Sequence, residues 1–285
     1  MGESGVPRRI AGLSEIAADY RGLLCDVWGV LHNGVEAYGG AVDALCRFRD
    51  GGGRVILITN APRPVRQIRE MLRGLQVPDA AYDAIVTSGD VTRNLLAERA
   101  GGVMFHLGPQ RDTPVYEGFD FVLAGPERAD FVLCTGPFND HVETPEDYKE
   151  LFGQMRARNL EMICANPDII VERGGVRVYC AGALAQSYER MGGAVIYAGK
   201  PYAPIYDMAS RLFAERFNLP PPKRSILAIG DSIRTDLRGA SAAGLDMLFI
   251  TSGIHADEGK APDRLERMFA DVGAPPRAIL NTLVW

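Results

Sequence analysis

Four short apolar runs in the 285-residue chain each end in a polar group. Asp26 follows the run at 21–25, Thr59 and Asn60 follow Val55-Ile56-Leu57-Ile58, Lys200 lies just past 194–198, and Asp231 closes the run at 225–230. Runs this short, stopped by glycine or turn residues, read as strands. Ligands of open α/β sheets bind just beyond the carboxyl ends of the strands. If the sheet is parallel, all four groups face one cleft.

The residue types suit phosphoryl transfer. A carboxylate can attack phosphorus and hold the group as an aspartyl-phosphate, and Asp26 is the candidate. Nucleophile and phosphate are both anionic, so a cation must screen them. Mg2+ does this through one or two carboxylates plus phosphate oxygens, which makes Asp231 the second carboxylate. Asp236 lies about one helical turn on, placed to orient the waters of the metal. Lys200 offers a compact ammonium for Asp26 and phosphate together. The Thr59 hydroxyl and the Asn60 amide can donate to phosphate oxygens without adding charge. Plainer explanations exist for each: a turn at Asp26, a helix cap at Thr59-Asn60 or Asp231-Ser232, a solvated turn at Lys200-Pro201. Their recurrence at matching strand ends favours the chemistry.

Strands alternating with helices must position these groups. Helical spacing covers 13–20, with Ser14 as a cap, then 41–49, 64–75 and 90–99, with strands at 54–59 and 85–88 between them. Such alternation indicates a parallel sheet. After Gly101-Gly102 the texture changes. Strands are expected at 103–107, 119–124, 131–135 and 160–165, one long helix at 145–158, and a hairpin at 171–179 turning on Gly174-Gly175. The first pattern restarts at 194–198, with helices at 203–217 and 234–243, a loop at Pro220-Pro221-Pro222 and a last strand at 246–251. The simplest division is an α/β core from 1–100 plus 194–285, with a second domain inserted at 101–193.

Composition bounds the function. Apolar residues at 47% supply a core, and a net charge of −5 gives no general attraction for nucleic acid or anionic lipid. Five cysteines without Cys-x-x-Cys spacing argue against a zinc site or a disulfide framework and fit a reducing cytoplasm. No apolar run approaches a membrane span, and the first nine residues show no signal peptide.

Asp26-Val27-Trp28-Gly29-Val30-Leu31, Leu57-Ile58-Thr59-Asn60, Ala165-Asn166-Pro167-Asp168, Gly199-Lys200-Pro201 and Gly230-Asp231-Ser232-Ile233-Arg234-Thr235-Asp236 resemble, in order, the motifs of the haloacid dehalogenase superfamily, class IIA, with a C2-type cap. The resemblance implies a Rossmann-like core with an inserted α/β cap, and a phosphatase acting on a small phosphorylated metabolite of the sugar or aryl phosphate class. It implies Asp26 as nucleophile, Thr59 on phosphate and Lys200 as clamp. It also implies Mg2+ held by Asp26, Asp231 and the main-chain carbonyl of Trp28. Asn166 and Asp168 match the substrate-facing loop of the cap, and family members pair through their caps. Arg63, at the start of the helix after Thr59, could fork onto a substrate carboxylate or phosphate; alternatively it only faces solvent, at a helix end that disfavours a cation.

Trp28 departs from the pattern. The family usually carries a second Asp there, which protonates the leaving oxygen and then activates water. The main-chain carbonyl survives the change, but the acid/base does not. A positioned acid or base is worth about 10²–10⁴ in rate. The expectation is therefore a weak or restricted phosphatase, favouring aryl or acyl phosphates whose leaving groups depart without a proton. Two alternatives stay open: a phosphate-ligand binding or regulatory protein on the same scaffold, and phosphoryl transfer to an acceptor other than water. His32 is a candidate replacement base.

Overall fold

The computed structural model describes residues 7–173, 176–217, 225–253, 262–272 and 275–285. The chain forms two compact units: Met1–Thr59, Arg69–Val86 and Tyr206–Trp285 in the first, Asn60–Ile68 and Thr87–Ile205 in the second.

The strands of the first unit are β1 (Arg8–Arg9), β2 (Gly22–Asp26), β3 (Arg54–Thr59), β4 (Ala84–Thr87), β12 (Ile226–Gly230), β13 (Asp246–Ile250) and β14 (Ala278–Leu280). They make a seven-stranded sheet in the order β1-β14-β13-β12-β2-β3-β4. The pairs from β1 through to β3 are all parallel. Strands β2 and β12 are buried along their whole length, which is why they read as continuous apolar runs rather than alternating ones. Helix α1 (Gly39–Asp50) buries Ala41, Ala44, Leu45 and Phe48, a stripe at helical spacing. Gly22 leaves room for the ring of Phe213, whose Cε1 stands 2.8 Å from where a Cβ would be. The 13–20 segment is not one helix but two single 3-10 turns, Leu13–Glu15 and Ala17–Asp19, separated by Ile16 at φ −129°.

The second unit carries β5 (Val103–Leu107), β6 (Val122–Leu123), β7 (Phe131–Cys134), β8 (Glu161–Cys164) and β11 (Ala194–Tyr197) in a parallel five-stranded sheet ordered β11-β8-β7-β5-β6. Alternate residues feed two cores. Val132, Cys134, Met162 and Cys164 meet Phe152, Leu184 and Tyr188, while Phe131, Leu133 and Ile163 meet Leu96 and Met104. Strands β9 (Ile170–Arg173) and β10 (Val176–Tyr179) pair antiparallel. Their turn at Gly174-Gly175, and the Pro220-Pro221-Pro222 loop, lie outside the described residues.

The boundaries expected at 101 and 193 need correction. The 194–198 run extends the second sheet beside β8 instead of restarting the first. Helix α2 (Ser88–Ala97) belongs to the second unit because Leu96 enters its core and the Arg93 guanidinium stacks 4.7 Å from the Phe119 ring. Periodicity shows which face of an element is apolar, not which sheet covers it. The strand expected at 119–124 is only Val122–Leu123.

An ion pair fixes the entry to β3. Asp83 accepts from Arg49 Nε at 2.9 Å, Arg49 Nη2 at 2.7 Å and the Val55 amide at 2.9 Å. Burial works to raise the Asp83 carboxyl, but the Arg49 and Val55 bonds outweigh it and hold the group below its usual range. Asp83→Asn should cost about 2 kcal/mol in urea unfolding at pH 7. The native pKa is depressed, so this contribution is present above about pH 4 and lost as pH falls through the native value. The gap between wild type and variant should close in acid.

Candidate active site

Adjacent strands β12, β2 and β3 set the first cluster. Ile229 is level with Cys25, and Asp26 with Ile58. Asp26 ends β2, Thr59 ends β3 and Asp231 follows β12, so all three lie at the carboxyl edge of one sheet and all are buried. After Ser232 the chain closes a π-turn at Ile233–Leu237, in which the amides of Asp236 and Leu237 both donate to the Ser232 carbonyl at 3.0 Å. The turn folds Asp236 back until Oδ2 accepts from the Ser232 amide at 3.1 Å. Carboxylate oxygens of Asp26, Asp231 and Asp236 then lie within 4.8 Å of one another.

Glycines wall this cluster. A Cβ on Gly230 would stand 2.3 Å from Asp236 Cγ. One on Gly29, at φ +83°, would stand 2.3 Å from Asp231 Oδ2, and one on Gly253 only 1.8 Å from the same oxygen. Backbone therefore lies against the carboxylates where side chains would displace them. Gly253, from the segment after β13, was missed in the sequence reading; nothing in its local sequence marks it. Three converging buried carboxylates form an oxygen donor set for a hard divalent cation, and Mg2+ fits that chemistry. Asp26 and Asp231 could hold such an ion.

The loop after Asp26 is closed by the Leu31 amide on the Val27 carbonyl and the Gly29 amide on the His32 carbonyl, both 2.9 Å. His32 is fully buried, and its Nδ1 accepts from the Gly34 amide at 2.9 Å. Burial pushes the imidazole down to about 4, so it is neutral near pH 7. Its acceptor lone pair is spent on Gly34, which leaves none for the replacement-base role.

The expected groups Asn60, Lys200, Asp168, Asn166 and Arg63 belong to the second unit. Lys200 follows β11, so its strand end is not in the sheet that carries Asp26. The Asn60 amide is committed. Its Oδ1 accepts from the Lys200 amide at 2.7 Å, and its Nδ2 donates to Asp168 Oδ1 at 2.9 Å and to the Lys200 carbonyl at 3.2 Å. Both donors expected for phosphate are thus used within the protein. Asn166 Oδ1 accepts from the Asp168 amide at 3.0 Å and shapes that loop. A Cβ on Gly199 would meet Asn60 Oδ1 at 2.4 Å and Pro167 at 2.7 Å. Arg63 Nε donates to buried Asp112 at 3.2 Å. Burial raises the Asp112 carboxyl, against the pull of Arg63 and Arg111.

Comparisons with known proteins give the family of the chain. Residues 23–122 match the haloacid dehalogenase-like hydrolase family model, and residues 197–280 match the HAD-hydrolase-like model. A solved haloacid dehalogenase-like hydrolase from Brucella suis 1330 is 43% identical, with a TM-score of 0.88 over 96% of this chain and 100% of that one. The 5'-nucleotidase YutF of Bacillus subtilis (strain 168) is 24% identical over 93% of this chain and 97% of its own. A glycerol phosphate phosphatase from Mycobacterium tuberculosis, solved in complex with magnesium, is 25% identical with a TM-score of 0.64, over 84% of this chain and 70% of that one.

The Asn60 network has a direct consequence. Asn60→Asp replaces two donors with acceptors facing the Asp168 carboxylate and the Lys200 carbonyl. The variant should lose about 2–3 kcal/mol in thermal or urea unfolding at pH 7, and part of that loss should return in acid as the carboxylates protonate.

Proposed function

Because the chain belongs to the haloacid dehalogenase-like hydrolases, we propose that it is a Mg2+-dependent phosphatase of small phosphorylated metabolites, working through an aspartyl-phosphate on Asp26. The convergence of Asp26, Asp231 and Asp236 carries this reading. An Asp26 oxygen attacks phosphorus, the bond to the leaving oxygen breaks, and water later hydrolyses the acyl phosphate to release inorganic phosphate and restore Asp26. The metal, when bound, supplies positive charge that lets two anions approach. The Thr59 hydroxyl, at the same sheet edge, donates to a phosphate oxygen. The family resemblance assigns the phosphate clamp to Lys200 and substrate contacts to Asn166, Asp168 and Arg63. In this reading the Asn60 amide positions Lys200 and Asp168 rather than touching phosphate.

Trp28 sets the limit on turnover. Nothing at that position can protonate a leaving oxygen or activate water, so the favoured substrates have leaving groups stable as anions. The same loss prolongs the aspartyl-phosphate and favours transfer to an acceptor other than water as a second outcome. Five free cysteines support a reducing, cytoplasmic setting. Among the described residues, no helix is long and apolar enough to cross a membrane. Exposed Val122 and Leu123 on edge strand β6 support pairing of two chains through the second unit, readable by light scattering.

A steady-state panel with Mg2+ tests the catalytic claim. p-Nitrophenyl phosphate and acetyl phosphate should exceed simple alkyl phosphates in kcat/KM by about 10²–10⁴. Asp26→Asn should reduce every rate to background. Equal, fast rates on alkyl esters would refute the Trp28 argument. Failure of beryllium fluoride to trap at Asp26, with no turnover of any ester, would leave the binding-protein reading.

A further inference from the structure

His32 has no role in the reaction above, yet it is fully buried in the loop that leaves Asp26. With Nδ1 accepting the Gly34 amide, the neutral ring carries its proton on Nε2. That Nε2 has no hydrogen-bond partner among the described residues. A buried N–H left unmatched is costly, so a neighbour should offset it. Trp28 is that neighbour. The two rings stand edge to face, 73° apart in plane with centroids 5.1 Å apart. A perpendicular pair at this distance lets an N–H of one ring meet the electron-rich face of the other. The benzo ring of the indole also fills the space a Gly34 side chain would need, with Cη2 2.5 Å from the position of a Cβ. Gly34, at φ +89°, is therefore the second part of a cradle for Trp28.

The main chain carries this contact towards the carboxylates. Trp28 and His32 form a β-bridge, and the Gly29 amide donates to the His32 carbonyl at 2.9 Å. Gly29 in turn lies against Asp231 Oδ2. We propose that His32 is a positioning residue: its Nε2–H, set on the face of the Trp28 indole, fixes the 28–29 peptide and with it the carbonyl that would face the metal. This rests on the metal reading above. It makes Trp28 a built part of the site, with two residues shaped to hold it.

The chain has two tryptophans, so a Trp285→Phe background isolates the emission of Trp28. In that background His32→Gln keeps an N–H near the Nε2 position, His32→Asn keeps an acceptor near Nδ1, and His32→Phe keeps only a ring. By titration calorimetry, Asn and Phe should weaken Mg2+ about tenfold or more, while Gln stays within about twofold, as for residues that orient metal ligands. Trp28 emission should shift in Asn and Phe and hold in Gln. Wild-type affinity in Asn and Phe overturns the proposal, as does a Gln variant that falls with Asn. Should a variant not fold, 15N-edited NMR of the unaltered chain decides. The His32 Hε2 should lie upfield under the indole ring current; a downfield resonance, the mark of an oxygen acceptor, overturns the contact. If the unaltered chain binds no Mg2+, the metal reading falls instead, and emission and NMR still decide the contact.

Discussion

Three carboxylates within 4.8 Å of one another, all buried, set the terms for the first unit. Buried like charges are costly unless they are paired or coordinated. The fold meets this cost with backbone. Parallel register puts Asp26 and Asp231 at one edge, and a single π-turn returns Asp236 to the Ser232 amide. Glycines then let main chain approach where any side chain would intrude. The walls of the cluster are thus strands and turns rather than long side chains, the kind of support that holds a site in place.

The sequence revealed some of this and hid some of it, for identifiable reasons. Strands β2, β3 and β12 stood out because a strand covered on both faces is a run of apolar residues that ends abruptly in a polar one. Asp26, Thr59 and Asp231 could be placed at one edge from that signal. The same signal misled at 194–198. A short apolar strand looks alike in either sheet, and only its partner, β8, shows which one it joins. Helix α2 was ambiguous in the same way. Gly253 was invisible because its constraint is a through-space approach to Asp231, set by a residue 22 positions away with no local pattern. Asn60 was recognised as a donor, but its hydrogen bonds go to residues 108 and 140 positions along the chain.

The indole at position 28 is held by its surroundings. Here Gly34 yields the space the benzo ring occupies, and an otherwise solitary imidazole N–H has the indole beside it. Each feature alone costs stability: glycine in entropy, an unmatched N–H in desolvation. Around one ring, the two features offset each other: the space left by glycine is filled and the N–H has a neighbour.

The second unit solves a different problem. A lysine has a long stem with much rotamer freedom, so the position of its ammonium depends first on where its backbone is fixed. One Asn60 amide holds both the N–H and the C=O of Lys200 and, with its remaining donor, one oxygen of Asp168. Gly199 allows this approach because a Cβ there would meet Asn60 Oδ1 at 2.4 Å. The Lys200 main chain and one oxygen of the Asp168 carboxylate, from separate parts of the chain, are thereby referred to a single planar group. A neutral amide suits this task where a charged side chain would not, because it offers donors and an acceptor at once.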